Sequence, residues 1–216
     1  WTIVEANGIR IGMLWYTWAH YVSQDGRPPL NGNAPIEKAG ICNYFHSEHL
    51  PEFYAEVEQY LTEMEAAGAE ATMMFIHWGQ EYQLSANSEQ KAMAQKLCDL
   101  GIDVIVGGHP HVIQPIELLS SSVDPDHKTV CLYSTGNAVS NQRQGNLSAI
   151  KTAHTEDGIL FTVTFEKYSD GKVYLVETDL LPTWVNLRWP SGGTEYAIIP
   201  LDYDRVDEWG TAFAME

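Results

Sequence analysis

The chain has 216 residues, 44% of them hydrophobic, enough for one large domain with a real core and too apolar for global disorder. Its 29 acidic and 12 basic residues give a formal net charge of −17, a field that repels nucleic acid and anionic lipid and excludes both as ready partners. The three cysteines, Cys42, Cys98 and Cys131, form no C-x-x-C and are read as free, buried thiols; no apolar run reaches the ~18 residues of a membrane span.

The chain begins at Trp1 and enters a strand-like run almost at once, which reads as a piece of something longer. Ile9 to Thr17 is apolar and rich in strand formers, so it predicts a buried strand. Residues 23–43 are rich in Gly, Pro and Asn and predict a long loop. A helix is expected to start between Ser47 and Pro51, because Phe53, Val57, Leu61 and Met64 repeat at helical spacing up to Gly68. Ala71 to His77 predicts a second strand, Ser88 to Leu100 a second helix ended by Gly101, and Ile102 to Val106 a third strand. Strand, helix, strand at this spacing predicts a βαβ unit with parallel strands. Thr129 to Tyr133 adds another strand, and Gly158 to Glu166 with Lys172 to Leu180 predict an antiparallel hairpin around Ser169-Asp170-Gly171. The tail beyond Pro182 suggests one short terminal helix. The fold class is therefore α/β: a mixed sheet with packed helices plus an antiparallel C-terminal extension.

The βαβ unit places chemistry at one edge. His77 ends its first strand, and Gly107-Gly108-His109-Pro110-His111 follows its second. The carboxyl ends of adjacent parallel strands share the edge where α/β sheets bind ligands. If the segment before and after Pro110 is extended, His109 and His111 point to one side, with Gly107 and Gly108 allowing a tight turn. Neutral imidazoles suit Zn, Mn or Fe. Glu81 and Glu117 lie close in sequence to these histidines, either as partners that orient an imidazole or as ordinary solvated carboxylates. His20, His127 and His154 are read as surface histidines. His46-Ser47-Glu48 lacks the P-C-x-x-C that a zinc deaminase needs, and Cys42, His46 and His49 are read as polar residues at the start of a helix. Trp15 and Trp18 are read as packing residues rather than a stacking platform for substrate. No G-x-S-x-G, P-loop or dinucleotide glycine motif is present.

His77-Trp78-Gly79-Gln80-Glu81-Tyr82, Gly107-Gly108-His109-Pro110-His111-Val112, Gln114-Pro115-Ile116-Glu117 and Tyr133-Ser134-Thr135-Gly136-Asn137 resemble the C-terminal half of CapA/PgsA-type bacterial capsule (poly-γ-glutamate) biosynthesis proteins. Asn7-Gly8-Ile9-Arg10-Ile11 fits the same pattern; the close match covers about residues 70–140. The resemblance implies a single CapA-like domain over residues 1–216, half of a four-layer, calcineurin-like metallophosphoesterase fold. It implies metal-ligand positions for His77, His109 and His111, with His77 and His109 serving one metal and His111 the other. Asn137 and Arg143 fall in the region near that site, Asn137 on its outer or substrate side; no catalytic residue is assigned. The implied cofactor is a divalent metal ion (Mn, Zn or Fe), two in the intact protein. The family's early Gly-Asp and Asn-Asn-His motifs, which supply the remaining ligands, are not in this sequence.

The function implied is a component of capsular or poly-γ-glutamate biosynthesis or export with a metallohydrolase-type site. The alternative is a non-catalytic accessory that binds the polymer or the synthase complex. The implied partners are an anionic polymer or its precursor and a membrane synthase complex. The implied location is outside the cytoplasm, anchored through a segment N-terminal to this chain.

Overall fold

A computed structural model describes residues 1–19, 42–146, 148 and 150–202. Most of the predicted 23–43 loop, His20, and the expected terminal helix lie outside the described residues.

Among the described residues the main sheet has seven strands. They are β1 (Thr2–Ala6), β2 (Ile9–Trp18), β3 (Tyr44–Phe45), β4 (Ala71–His77), β5 (Val104–Gly108), β6 (Ile116–Ser120) and β7 (Lys128–Leu132). The order is β1-β2-β4-β5-β7-β6, with β3 beside the end of β2. Strands β2, β4, β5 and β7 are mutually parallel, while β1 and β6 close the two edges antiparallel. Two helices supply the crossovers, α1 (Leu50–Ala66) and α2 (Ser88–Leu100). A second sheet, ordered β10-β9-β8, is antiparallel throughout: β8 (Asp157–Lys167), β9 (Val173–Arg188) and β10 (Glu195–Pro200). The mixed α/β sheet with an antiparallel extension is the fold class read from the sequence.

The core follows from period two on the strands and period 3.6 on the helices. Leu14 and Tyr16 of β2, Met74 and Ile76 of β4, and Ile105 of β5 are buried against Phe53, Val57 and Met64 of α1 and Met93, Ala94 and Leu97 of α2. Burying each large apolar side chain stabilises the fold by roughly 1.5–3 kcal/mol. Helix α2 is defined at both ends. Asn87 and Gln90 form a reciprocal capping box at its start, and Gly101 ends it in the left-handed region at φ 98°.

The early strand-like run is borne out, one strand is added, and two strand boundaries need correction. Residues 2–6 are a strand, paired to β2 through a turn at Asn7-Gly8 with φ of 51° and 82°, the conformation that Asn-Gly favours in a tight hairpin. Ile116–Ser120 is also a strand, hydrogen-bonded antiparallel to β7. The third strand runs from Val104 to Gly108, so the glycines end the strand instead of forming a turn. The strand after Lys172 continues through Pro182 to Arg188 and pairs with β10, so residues 183–188 and 195–200 are sheet. Proline is tolerated there because it lacks only an N–H that the ladder need not use. Of the thiols, Cys98 and Cys131 are buried as expected, but Cys42 is exposed.

Candidate metal centre

The site is built where β4 and β5 end. His77 and Gly108 are register partners, and the Trp78 N–H donates to the Gly108 carbonyl at 3.1 Å. The Tyr82 N–H donates to the Pro110 carbonyl at 2.8 Å, so the segments after the two strands are stitched together. Gly107 allows this close approach: a Cβ there would lie 2.0 Å from the Tyr133 carbonyl oxygen and 2.5 Å from Trp78 Nε1. The Trp78 indole is buried, donates to that same carbonyl at 2.9 Å, and lies against the Tyr133 ring.

The histidine turn is not extended. His109 has φ 96° and His111 φ 59°, and Tyr82 on the facing segment has φ 63°. Three of the four positive-φ non-glycine residues among those described therefore lie at this edge. Such conformations cost of order 1–3 kcal/mol each and persist where the surroundings over-determine them. The imidazoles converge by this left-handed route, not by alternation along an extended chain.

The convergence itself is clear. The His77 and His109 ring centres lie 4.5 Å apart, and those of His109 and His111 6.1 Å apart. One nitrogen each from His109 and His111 and a carboxylate oxygen of Glu81 lie within 4.8 Å of one another. Glu81 Oε1 is 3.7 Å from His111 Nε2, and the Tyr82 ring stacks on His111 at 6.1 Å. His77 adjoins this trio beside His109, and its Nε2 is buried with no hydrogen-bond partner. Burial, reinforced by the neighbouring His109 and His111, lowers the His77 pKa to about 4. Its imidazole is therefore neutral near pH 7, the form that binds metal.

The other candidates fall in different places. Asn137 is buried, with Oδ1 2.9 Å from His111 Nδ1. Glu117 sits on β6, where it accepts from the Tyr133 hydroxyl at 3.1 Å and lies 4.0 Å from Lys91 Nζ, outside the Glu81–His109–His111 group. Arg143 pairs with Glu156 and donates to the Val185 carbonyl. His46 accepts from the Glu48 N–H at 3.1 Å, as a residue at a helix start does. His154 is exposed, whereas His127 is half-buried with Nε2 3.1 Å from the Ile102 carbonyl. Trp15 stacks on Phe75 at 5.9 Å and Trp18 packs against the core.

A buried polar network, absent from the sequence reading, braces the segment that carries Glu81. Gln90 Nε2 donates to Gln114 Oε1 at 2.9 Å, and Gln114 Nε2 donates to the Gln83 and Ser85 carbonyls at 2.8 and 3.2 Å. Gly79, at φ 84°, makes room for it, since a Cβ would lie 2.6 Å from Gln90 Cδ. The signal was present: Gln90 occupies an apolar-face position of α2 beside Met93 and Leu97, where a polar residue must find partners.

Comparison with known proteins places the chain in a family. The family model described as "Bacterial capsule synthesis protein PGA_cap" matches residues 1–142, which hold the whole main sheet, the three histidines, Glu81 and Asn137. The chain belongs to this family. It is 33% identical over 112 residues to the "PGA biosynthesis protein CapA" of Bacillus subtilis (strain 168), covering 52% of this chain and 26% of that protein. It is 38% identical over 74 residues to the "Capsule biosynthesis protein CapA" of Bacillus anthracis, covering 34% of this chain and 16% of that protein. The chain thus matches about a quarter or less of the length of these CapA relatives. Among the described residues, no helix is long and apolar enough to cross a membrane.

The donor set fits a divalent metal ion. Two imidazoles and a carboxylate within 4.8 Å, beside a third imidazole with an orphaned buried nitrogen, match the ligand preferences of Zn, Mn or Fe.

Proposed function

We propose that this capsule-family chain carries the histidine side of a divalent metal centre, and that the intact protein uses it for hydrolysis during capsular or poly-γ-glutamate polymer biosynthesis or export. The observation that carries this reading is the Glu81–His109–His111 group with the unpartnered Nε2 of His77 beside it. His109, His111 and Glu81 would hold a metal, with His77 completing the set. A bound divalent ion supplies a Lewis acid that makes water nucleophilic at neutral pH and polarises the scissile bond. In the intact protein a second ion would need ligands from outside this chain.

The chain's own residues prepare that chemistry. His77 is held neutral by burial, so protons compete little with a metal for its ring nitrogen. The Tyr82 ring covers one face of His111, and burial together with the Glu81 carboxylate raises its hydroxyl pKa, so the phenol adds no charge to this edge at neutral pH. The net charge of −17 disfavours an anionic polymer unless a cation stands between them, which a metal at this edge would do. The names of the relatives support a role in PGA or capsule biosynthesis; a polymer or its precursor as substrate, a synthase complex as partner and a place outside the cytoplasm are part of this proposal.

The test is elemental analysis and Zn2+ or Mn2+ titration of this chain beside a His109→Ala/His111→Ala variant, followed by turnover of phosphoesters and γ-glutamyl peptides by the longer protein. The expected result is binding that the double variant abolishes. Absence of binding in the wild type, or binding unchanged in the variant, overturns the metal centre and leaves an accessory that binds the polymer or the synthase complex.

A further inference from the structure

Asn137 is buried directly after β7 and the Tyr133–Gly136 segment, and both polar atoms of its side chain are engaged. Its Nδ2 donates to the Thr155 carbonyl at 2.8 Å, to the His111 carbonyl at 3.3 Å and to Gln142 Oε1 at 3.4 Å. Its backbone N–H donates to the Asp157 carbonyl at 3.1 Å. The two backbone carbonyls fix the amide orientation: turned over, Asn137 would set its own oxygen against carbonyl oxygens. Oδ1 must therefore face His111 Nδ1, 2.9 Å away, and an amide oxygen can only accept. A hydrogen bond there requires the proton on Nδ1. The in-plane lone pair then belongs to Nε2, the nitrogen 3.7 Å from the Glu81 carboxylate.

The platform holding Asn137 is the second sheet and the turn that precedes it, which lie beyond the residues matched by the family model. The turn Ala153–Glu156 supplies the Thr155 carbonyl, with Thr155 itself fully buried. The Ile159 N–H donates to the Thr135 carbonyl at 3.0 Å, and Gly136 bridges Gly158. Gly158 admits this approach, since a Cβ would lie 2.3 Å from the Asn137 carbonyl oxygen. Arg143 clamps the arrangement by pairing with Glu156 and donating to the Val185 carbonyl of β9.

We propose that Asn137 is a positioning residue: held by the second sheet, it locks the His111 imidazole as the Nδ1–H tautomer and presents the bare Nε2 beside Glu81 as a metal ligand. The C-terminal extension is thus the backing of the histidine edge. The tautomer stands on the geometry of this chain; its use in metal binding rests on the metal centre proposed above. Hydrogen bonding of a ligating histidine's second nitrogen is worth roughly 10- to 100-fold in metal affinity.

The experiment is proton–nitrogen NMR of histidine-labelled, metal-free chain in mildly alkaline buffer, for the wild type, Asn137→Ala and Asn137→Asp, with Zn2+ titration of each. The wild type is expected to show His111 protonated at Nδ1. Asn137→Asp retains an oxygen facing Nδ1 and should keep that form, at a cost in stability because its second oxygen meets the Thr155 and His111 carbonyls, whereas Asn137→Ala should lose it and bind Zn2+ about 10- to 100-fold more weakly. His111 protonated at Nε2 in the wild type overturns the proposal, even if the alanine variant does not fold. So does a tautomer unchanged in Asn137→Ala, or one lost without any change in Zn2+ affinity. A wild type that shows the Nδ1–H form but binds no Zn2+ sinks the metal centre and the ligand role together, while leaving the tautomer lock in place.

Discussion

His77 shows how one side chain can couple site and stability. Burial, with His109 and His111 adding to it, lowers its pKa from 6.5 to about 4. The unfolded chain therefore takes up the proton first as pH falls. Stability from this group is complete above pH 6.5 and is lost as pH falls through about 4. Denaturant midpoints of the metal-free chain should drop across that window, and His77→Leu should flatten the dependence. An equally steep profile in the variant would assign the acid sensitivity to other groups. The buried, unpartnered Nε2 was not legible in the sequence, because a strand-end histidine reads the same whether solvated or buried.

Among the elements, the segment between β4 and α2 is held by side chains more than by backbone pairing. Gln90 and Gln114 face each other in the interior, and Gln114 also satisfies two carbonyls of the Glu81 segment. Gln114→Leu should leave the Gln90 amide and both carbonyls without this partner, costing about 1–3 kcal/mol. Thermal unfolding measures that cost, and Zn2+ affinity should fall with it because Glu81 loses its brace. A shift within a few tenths of a kcal/mol would mean that water replaces the glutamine. At this scale the sequence was informative for α1, α2, β2 and β4, whose apolar periodicity is strong. It was weak for β1 and β6, five-residue edge strands, the first largely exposed and the second half-buried, that lack a continuous apolar run.

At the level of the whole molecule, two sheets meet behind the histidine edge. Arg143 and Glu156 join them, with side-chain exposures of only 14% and 16%. Removing one partner of a buried pair strands the other's charge, so Arg143→Met should cost about 3 kcal/mol. Chemical denaturation would show it as a lower midpoint. An unchanged midpoint would mean that Glu156 finds compensation through the Trp184 indole, which already donates to it at 3.3 Å. The Lys167–Glu70 pair also ties the far end of β8 to the start of β4, but both partners are more exposed and contribute less.

The amino-acid sequence determined the parallel β4–α2–β5 unit and thereby the meeting of His77 with the His109–His111 segment. Apolar runs of strand length, a capped helix of matching length and a glycine stop leave the chain few other ways to bury its surface. The quoted motifs also carried the family resemblance. Tertiary structure decided which side chains complete the edge. Glu81 joins His109 and His111 while Glu117, on β6, turns to Tyr133, although both are near the histidines in sequence. It also decided that His109 and His111 converge through left-handed backbone, and that Asn137 and the second sheet stand behind His111. Those outcomes depend on contacts between residues far apart in the chain, set by strand register and carbonyl direction, and local periodicity carries no information about either.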